Sequence, residues 1–363
     1  MMAVDTFPIR RVDHIRHYVT NARQAAFFYQ HTFGFSITGF RGLETGSRDQ
    51  VDYLLEQGNI KLVFSSAIRP GHEMAPMIAE HGDFVRDIAF EVDDVEVAWR
   101  TAVERGAKSA QAPTVLKDEH GEFYVAAIHT YGDVLHSFVN RDGYRGHFMP
   151  QFRAENEPGD PIGIKEIDHC VGNVELGGMN QWVKWYEDVL GFKNLISFDD
   201  KDISTEYTAL MSKVMASGNG RVKFPINEPA EGKKKSQIDE YLEYHGGGGV
   251  QHVALLTEDI VHTVSRLRAR GVNFLSVPRA YYDALPDRVG EIDEDIEELA
   301  ELGILVDRDD EGYLLQIFTK PITDRPTLFY EIIHRKGATS FGKGNFKALF
   351  EAIEREQALR GTL

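Results

Sequence analysis

The feature that most constrains this sequence is an internal repeat that relates its first half to its second. The tetrapeptide Val-Asp-His-Ile at residues 12–15 recurs about 155 residues later as Ile-Asp-His-Cys at residues 167–170. A stretch of helical periodicity follows each copy and ends in Phe-Gly-Phe at residues 33–35 or Leu-Gly-Phe at residues 190–192. This repeat predicts two tandem halves with the same local structure.

Two further matches follow in the same order along both halves. Asp-Ile-Ala-Phe at residues 87–90 corresponds to His-Val-Ala-Leu at residues 252–255, and both lead into a helix that ends in Arg-Gly. Ser-Phe-Val-Asn-Arg at residues 137–141 corresponds to Glu-Ile-Ile-His-Arg at residues 331–335. Each half is therefore predicted to contain two modules in which one strand and one helix precede three strands.

Repeated βαβββ modules with alternating polar and apolar strand residues favour an α+β fold. We expect each half to form an open β-barrel with outer helices, and we expect a final helix at residues 347–359. The segment at residues 143–163 contains three prolines and no periodicity, which is typical of a linker. We therefore divide the chain into residues 1–155 and residues 156–363. The repeat resembles the vicinal-oxygen-chelate fold.

Charge and cysteine content restrict the partners of the chain. Its 57 acidic and 40 basic side chains give a net charge of -17, which repels phosphate backbones and anionic membranes. We expect neither nucleic acid nor membrane as a partner, and the lack of an apolar run at residues 1–11 favours a cytoplasmic location. With Cys170 as its single cysteine, the chain would need histidine and carboxylate ligands to bind a metal.

Three candidate metal ligands fall at matching positions of three predicted strands in the second half: His169, His252 and Glu331. Two imidazoles and one carboxylate form the facial triad that suits Fe(II) oxygen chemistry. Glu331 lies within the apolar run Phe-Tyr-Glu-Ile-Ile, and burying its carboxylate costs several kcal/mol unless it is paired or bound to a metal.

The first half provides an internal comparison for these ligands. Its corresponding residues are His14, Asp87 and Ser137, which lack one imidazole and a carboxylate of the same reach. We interpret the first half as a structural copy and expect one metal per chain. For a single buried histidine such as His169 or His252, a hydrogen-bonded core position remains an alternative.

Several longer motifs cover the second half almost from end to end. They include Asp-His-Cys-Val-Gly-Asn-Val at 168–174, Gly-Val-Gln-His-Val-Ala-Leu at 249–255, Leu-Gln-Ile-Phe-Thr-Lys-Pro at 315–321, Phe-Tyr-Glu-Ile-Ile at 329–333 and Phe-Gly-Lys-Gly-Asn-Phe at 341–346. In these motifs the chain resembles the 4-hydroxyphenylpyruvate dioxygenase family. The first half matches only as the weaker copy of the repeat.

The resemblance implies a non-haem Fe(II) dioxygenase of tyrosine and phenylalanine catabolism. Such an enzyme converts 4-hydroxyphenylpyruvate and dioxygen into homogentisate and carbon dioxide. Residues 156–363 would form the catalytic domain, and we expect a homo-oligomer, either a dimer or a tetramer. The implied site residues are the iron ligands His169, His252 and Glu331, the substrate-orienting Ser212, Asn227 and Gln237, the metal-proximal Gln251 and Gln316, and the aromatic wall of Phe318, Phe341 and Phe346.

Three of the neighbouring positions raise structural questions. Gln251 precedes His252 and points to the opposite face of a regular strand, so its role requires a twist or a bulge. Asn227 lies in a segment between two prolines that we expect to be a loop, where asparagine often caps a turn. His334 stands where the family commonly has glutamine, on the strand face opposite Glu331, and we assign it no ligand role.

Three other functions remain as alternatives. A hydroxymandelate synthase shares the fold, ligands and substrate, but Asn227 and Phe346 favour the homogentisate product. An extradiol ring-cleaving dioxygenase lacks the segment at residues 341–346 with a helix after it. A non-catalytic binding protein of the same fold is disfavoured because all three ligands are present in one half and lost in the other.

Overall fold

The computed structural model describes residues 7–199, 205, 207–230 and 232–363. Most of the amino-terminal segment considered above, residues 1–6, lies outside the described residues. The described elements of the first half are β1 Ile9–Tyr18, α1 Ala22–Thr32, β2 Ser36–Arg41, a 3-10 turn at Leu43–Thr45, β3 Gln50–Gln57, β4 Ile60–Ala67, α2 Met74–His81, β5 Phe84–Val92, α3 Val95–Glu104, β6 Ser109–Asp118, β7 Gly121–His129, β8 Leu135–Asn140 and β9 Arg153–Glu157.

The second half repeats this order with additional helices. Its described elements are β10 Ile164–Asn173, α4 Met179–Leu190, β11 Lys193–Phe198, β12 Ala209–Ala216, β13 Lys223–Ala230, α5 Gln237–His245, β14 Gly249–Thr257, α6 Ile260–Ala269, α7 Arg279–Asp283, α8 Leu285–Val289, α9 Ile296–Leu302, β15 Leu305–Arg308, β16 Tyr313–Phe318, β17 Phe329–Lys336, a 3-10 turn at Lys343–Asn345 and α10 Phe346–Arg360.

The strands of the two halves form two sheets with the same order of eight strands, and β9 adds one edge strand to the first. Among the described residues the first sheet has the order β6-β7-β8-β5-β1-β4-β3-β2-β9, and the second has the order β11-β12-β13-β10-β14-β17-β16-β15. Reading the first sheet from β2 to β6 reproduces the second strand for strand. The two modules of each half join through their first strands, β1 with β5 and β10 with β14. The predicted α+β fold of βαβββ modules with a carboxyl-terminal helix is confirmed.

Strand β9 is a feature that the sequence did not predict. It lies inside the segment expected to be a linker, and it pairs antiparallel with β2 through Ile37 with Glu157 and Phe40 with Arg153. Its sequence, Arg-Ala-Glu-Asn-Glu, has no apolar alternation because the strand lies at a sheet edge and is largely exposed on both faces. The segment therefore extends the first sheet before the chain enters the second half.

Matching capping residues explain why the repeated helices begin at matching positions. The Asp94 side chain accepts a hydrogen bond from the Val97 amide at the start of α3, and Asp259 accepts one from the His262 amide at the start of α6. An aspartate at this position satisfies an amide that has no partner within the helix. These caps orient the helices that pack on the outer face of each sheet.

Helix α10 covers the cavity enclosed by the second sheet. The predicted helix is confirmed, and it extends one residue beyond the expected range at each end. Its own residues Phe350 and Ala352 are buried, and Arg360 at its end pairs with the buried Glu240 of α5 at 2.7 Å. No helix in the described part of the chain is long and apolar enough to cross a membrane.

Candidate metal centre

Three neighbouring strands at the middle of the second sheet supply the predicted metal ligands. His169 lies on β10, His252 on β14 and Glu331 on β17, and all three are buried. The Nε2 atoms of His169 and His252 lie 3.1 Å and 3.3 Å from the same oxygen of Glu331, Oε2. Within the described residues, this is the one cluster of three or more His, Cys, Asp or Glu side chains whose ligand atoms converge, all within 4.8 Å.

Two β-bulges place one further polar side chain beside each histidine, Asp168 beside His169 and Gln251 beside His252. In the β10–β14 pair, Ile167 faces Leu255 and His169 faces Ala254, which leaves Asp168 as an extra residue. In the same pair, Val171 faces His252 and Gly172 faces Val250, so that Gln251 is an extra residue on β14. A bulge redirects side chains relative to the regular alternation of a strand. Because of the bulge, the Gln251 side chain lies beside His252 and does not point to the opposite strand face, as regular alternation predicted.

The residues at the bulges orient the imidazole rings. His169 Nδ1 lies 2.7 Å from Asp168 Oδ1, and His252 Nδ1 lies 3.0 Å from Gln251 Oε1. Because both partner oxygens accept hydrogen bonds, each ring donates from Nδ1 and directs Nε2 to the centre of the cluster. Outer hydrogen bonds of this kind are typical of histidines that bind metals.

Asp168 is itself held by Arg335. The Arg335 guanidinium donates to both carboxylate oxygens, from Nε at 2.7 Å and from a terminal nitrogen at 2.9 Å. Burial alone would raise the pKa of Asp168, but hydrogen bonds from Arg335 and His169 and their charges hold that pKa far below its ordinary value. Sequence reasoning missed both residues, although the Asp-His pair and the arginine recur in the first half as Asp13-His14 and Arg141.

The electrostatics of the cluster favour an anionic carboxylate beside the imidazoles. Burial alone would raise the pKa of Glu331, but the charge on His169 and hydrogen bonds from both histidines lower it to about 2. For His169, burial is opposed by Glu331 and Asp168, and the net effect raises its pKa. Burial dominates at His252 and lowers its pKa. The cluster therefore combines the negative charge of Glu331 with two imidazole nitrogens that could bind a metal.

A cavity of about 70 Å³ opens beside the three ligands. All eight of the other residues predicted for the site line it: Ser212, Asn227, Gln237, Gln251, Gln316, Phe318, Phe341 and Phe346. Lining residues that the sequence did not suggest are Val171, Phe198, Leu210, Val214, Pro225, Phe329, Leu349 and Phe350. The cavity thus combines amide and hydroxyl groups with a largely aromatic wall.

The polar residues of the cavity are held by regular structure. Ser212 on β12 faces Asn227 on β13, so the segment expected to be a loop is a strand. The two flanking prolines are accommodated because β13 pairs with β10 only through Ile226 and Asn227, and so needs no proline N–H on that side. Gln237 is the first residue of α5, directly after the Ser236 cap.

The aromatic residues surround the histidines. The Phe341 ring lies 5.2 Å from the His169 ring in an edge-to-face arrangement, and Phe329 stacks on His252 at 4.8 Å. Phe346 enters from α10. These contacts are typical of aromatic pairs and exclude water from one side of the ligands.

The corresponding positions in the first half form no metal cluster in the part of the chain that the structure describes. Ser137 donates two hydrogen bonds to Asp87, from its amide at 2.9 Å and from its hydroxyl at 2.5 Å. His14 is buried and bound through Nδ1 to Asp13 at 2.7 Å. This agrees with the interpretation of the first half as a structural copy. His334, half-buried on the other side of β17, lies opposite Leu315 and takes no part in the cluster.

The fold and the site together define a vicinal-oxygen-chelate metalloenzyme, the class in which paired βαβββ modules carry ligands on their inner strands. The family model described as "Glyoxalase/Bleomycin resistance protein/Dioxygenase superfamily" matches residues 11–146 and 166–317, one match to each half.

Individual relatives narrow this class. A 4-hydroxyphenylpyruvate dioxygenase of Yarrowia lipolytica is 49% identical and covers 98% of this chain and 94% of its own length. One from Dictyostelium discoideum is 46% identical over 97% of this chain and 99% of its own length. The chain belongs to the 4-hydroxyphenylpyruvate dioxygenase family. Among solved structures, a triple mutant of 4-hydroxymandelate synthase from Streptomyces coelicolor is 34% identical, with a TM-score of 0.87 over 96% of this chain and 99% of that chain.

Proposed function

We propose that this chain oxidises 4-hydroxyphenylpyruvate with dioxygen to homogentisate and carbon dioxide, a step of tyrosine catabolism. One oxygen atom enters the new carboxylate of the shortened side chain and the other becomes a ring hydroxyl, so no external reductant is required. The observation that carries the proposal is one cavity that joins a His-His-Glu cluster to amide and phenyl side chains. Membership of the family supports the same reaction.

The metal that we propose is one Fe(II) ion per chain, held by His169, His252 and Glu331. Their side chains match the facial triad of non-haem iron oxygenases. Glu331 supports the fit, because its described hydrogen-bond and ion-pair partners are the two imidazoles and the Gln316 amide, and include no Lys or Arg. When bound, the ion would supply coordination positions for the 2-oxo acid and for dioxygen.

We assign substrate orientation to the polar residues of the cavity. Ser212, Asn227 and Gln237 offer neutral donors and acceptors, which fix a polar substrate without adding charge to a buried site. Gln251 and Gln316 lie beside His252 and Glu331, so that they would contact the 2-oxo acid end of the substrate. Placing neutral amides there leaves the charge of the ligands unchanged.

The aromatic side chains would hold the substrate ring and exclude water. Phe318 and Phe341 each pack edge-to-face against one of the histidines, and therefore form a wall next to the metal position. Phe346, Leu349 and Phe350 close the cavity from α10. A site that excludes water protects a reactive oxidant from side reactions.

A second candidate is the synthesis of 4-hydroxymandelate, in which the benzylic carbon is hydroxylated instead of the ring. The similarity to a 4-hydroxymandelate synthase variant favours its consideration. Phe346 favours homogentisate, because an aromatic side chain on α10 would press the substrate ring towards the metal. A factor of ten in product ratio corresponds to about 1.4 kcal/mol of barrier difference, which one side chain can supply.

The test is product identification after the Fe(II)-loaded protein has reacted with 4-hydroxyphenylpyruvate and dioxygen. Homogentisate with one carbon dioxide for each dioxygen consumed is the expected result, and the chelator-treated protein serves as the control. Hydroxymandelate as the main product would replace the first candidate by the second. Binding of the substrate without dioxygen consumption would identify a non-catalytic binding protein.

We also propose that residues 156–363 form the catalytic domain and residues 1–155 the structural domain. The boundary expected after residue 155 falls within β9, which pairs with the first sheet, so the structural domain extends to Glu157. Support comes from β10, which begins at Ile164 and is the first strand, in chain order, of the sheet that carries all three ligands. A cytoplasmic homo-oligomer, dimeric or tetrameric, remains the prediction made from the sequence.

A further inference from the structure

A chain of polar side chains leads from the metal ligand Glu331 to the molecular surface. Gln316 Nε2 donates to Glu331 Oε1 at 3.3 Å, and Asn345 Nδ2 donates to Gln316 Oε1 at 3.1 Å. Asn345 Oδ1 in turn accepts from Arg288 at 3.1 Å and lies 2.7 Å from the Tyr281 hydroxyl. Asn345 is outside the cavity wall and so acts only through Gln316.

We infer that Arg288 and Asn345 form a positioning relay that fixes the direction of the Gln316 amide and, through it, the orientation of the metal ligand Glu331. The inference rests on the proposed function for the role of Glu331 as a ligand. It adds two residues that lie outside both the ligand set and the substrate cavity.

The direction of the relay follows from the chemistry of Arg288. A guanidinium carries only donors and stays charged at any ordinary pH. The Asn345 oxygen must therefore face it, since the reverse orientation would place the amide hydrogens against other donors. Because its oxygen is bound to Arg288, Asn345 donates from Nδ2, and the Gln316 oxygen must face it as the acceptor. The Gln316 nitrogen is then left to donate to Glu331.

Arg288 is itself fixed in place by backbone atoms. It donates to the Val306 carbonyl at 2.6 Å and to the Gly344 carbonyl at 3.0 Å. The Tyr281 hydroxyl accepts from the Val306 amide at 2.8 Å and from Arg288 at 2.6 Å. Because α8, β15 and the turn before α10 all contribute, the relay begins from a rigid point on the surface.

Two glycines allow the turn before α10 to approach this relay. A Cβ atom on Gly342 would lie 1.9 Å from Gln316 Oε1, and one on Gly344 would lie 2.3 Å from Asp307 Oδ1. Gly342 also has a φ of +74°, in the left-handed region that favours glycine. The glycines therefore let the backbone pack against the Gln316 amide, and they place Asn345, which is 1% exposed, within reach of it.

As a consequence, the two carboxylate oxygens of Glu331 have different partners. Oε1 receives the Gln316 amide, and Oε2 faces both imidazole Nε2 atoms. A donor held on the outer oxygen keeps the inner oxygen directed at the metal position, as outer hydrogen bonds commonly do for ligating carboxylates. Reversal of the Gln316 amide would place its oxygen against the carboxylate and rotate Glu331 away.

The test uses Asn345→Asp, which preserves size and keeps an acceptor for Arg288 but removes the donor to Gln316. Beside the guanidinium the new carboxylate stays ionised, so Gln316 must turn its nitrogen towards it. The probe is Co(II) alone, with affinity measured by competition with a chromogenic chelator and ligand geometry followed by the visible Co(II) spectrum. We expect affinity to fall by about tenfold or more, with a changed spectrum.

A control for the added charge is Asn180→Asp on α4, an exposed residue whose side chain accepts from Lys213 at 2.7 Å outside the relay. It adds the same charge to the same half and should leave Co(II) affinity and spectrum unchanged. If Asn345→Asp fails to fold, Arg288→Leu replaces it, because Arg288 is exposed and its loss frees the amides to reverse. That variant should weaken Co(II) binding by about threefold or more.

Affinity within twofold of the parent protein and an unchanged spectrum, in whichever of the two relay variants folds, would overturn the inference. Neither measurement requires substrate, so the outcome is separate from that of the proposed reaction. A parent protein that makes no homogentisate while Asn345→Asp loses Co(II) would reject the reaction and keep the relay.

Discussion

Asp168→Asn separates the contribution of the outer hydrogen bond to metal binding from its contribution to stability. Asp168 accepts from His169 Nδ1 and from two nitrogens of Arg335. An asparagine can serve His169 with its oxygen, but its NH2 group then faces the guanidinium. The first half contains a matched control, since Asp13 binds His14 and Arg141 in the same way without a metal cluster.

The expected magnitudes follow from burial. The side chain of Asp168 is 4% exposed and that of Arg335 is 14% exposed, so the substitution leaves a mostly buried cation without its counter-ion. Breaking such a pair costs about 3–5 kcal/mol. A loss of about 3 kcal/mol lowers the melting temperature of a domain of about 200 residues by roughly 6–12 °C. Loss of the outer partner of a histidine ligand weakens metal binding by about 10- to 100-fold.

Two assays distinguish the loss of stability from the loss of metal affinity. Thermal unfolding at pH 7 should show a comparable loss of stability for Asp168→Asn and Asp13→Asn, whose side chain is 1% exposed. Chelator competition should show weakened metal binding for Asp168→Asn alone. Equal metal affinity in the two variants would refute the orienting role of Asp168, and so would an unchanged affinity in Asp168→Asn at a reduced melting temperature.

Three further predictions concern turnover, product and pH. Glu331→Ala should abolish dioxygen consumption while leaving the far-ultraviolet circular dichroism spectrum unchanged, and near-normal consumption would reject Glu331 as a ligand. Phe346→Ile should shift product from homogentisate towards hydroxymandelate, and an unchanged chromatographic ratio would remove Phe346 from the selecting role. Burial alone would raise the pKa of Asp52, but Arg41 and Arg16 hold it below its ordinary value, so its stabilisation is present above about pH 4 and is lost as pH falls. Asp52→Asn should therefore cost about 3 kcal/mol at pH 7 and flatten the acid side of the stability profile, and urea unfolding between pH 3 and 7 gives a direct check.

Most of what could be predicted about the fold came from the internal repeat. Strand order depends on which segments recur, and the recurrence of residues 12–15 at 167–170 fixed the first strand of each half. Ligand positions followed because matching strands lie side by side in the sheet. The position of Gln251 did not follow, because strand alternation assumes a regular ladder and the bulge at this residue breaks it.

Other features were beyond prediction for different reasons. Strand β9 has no apolar face, so hydrophobic alternation gives no signal at that edge. The hydrogen bonds of Arg335 depend on side-chain reach between β17 and β10, which are not adjacent but lie on either side of β14. Asn227 was expected in a loop because of its two flanking prolines, which a strand tolerates only where its neighbour requires no amide donor.

The bulges and the Asp-His-Arg groups occur in both halves, so the metal site alone does not account for them. In the first half Asp13 and Arg86 are the extra residues of the β1–β5 pair, at the positions of Asp168 and Gln251. A buried carboxylate must find donors or a cation, whatever its function. Asp87 finds its donors in the amide and hydroxyl of Ser137, whereas the donors that reach Glu331 are two imidazoles and one amide. The exchange of Asp87 for His252 and of Ser137 for Glu331 therefore replaces a self-satisfied pair by a His-His-Glu cluster that could hold a metal.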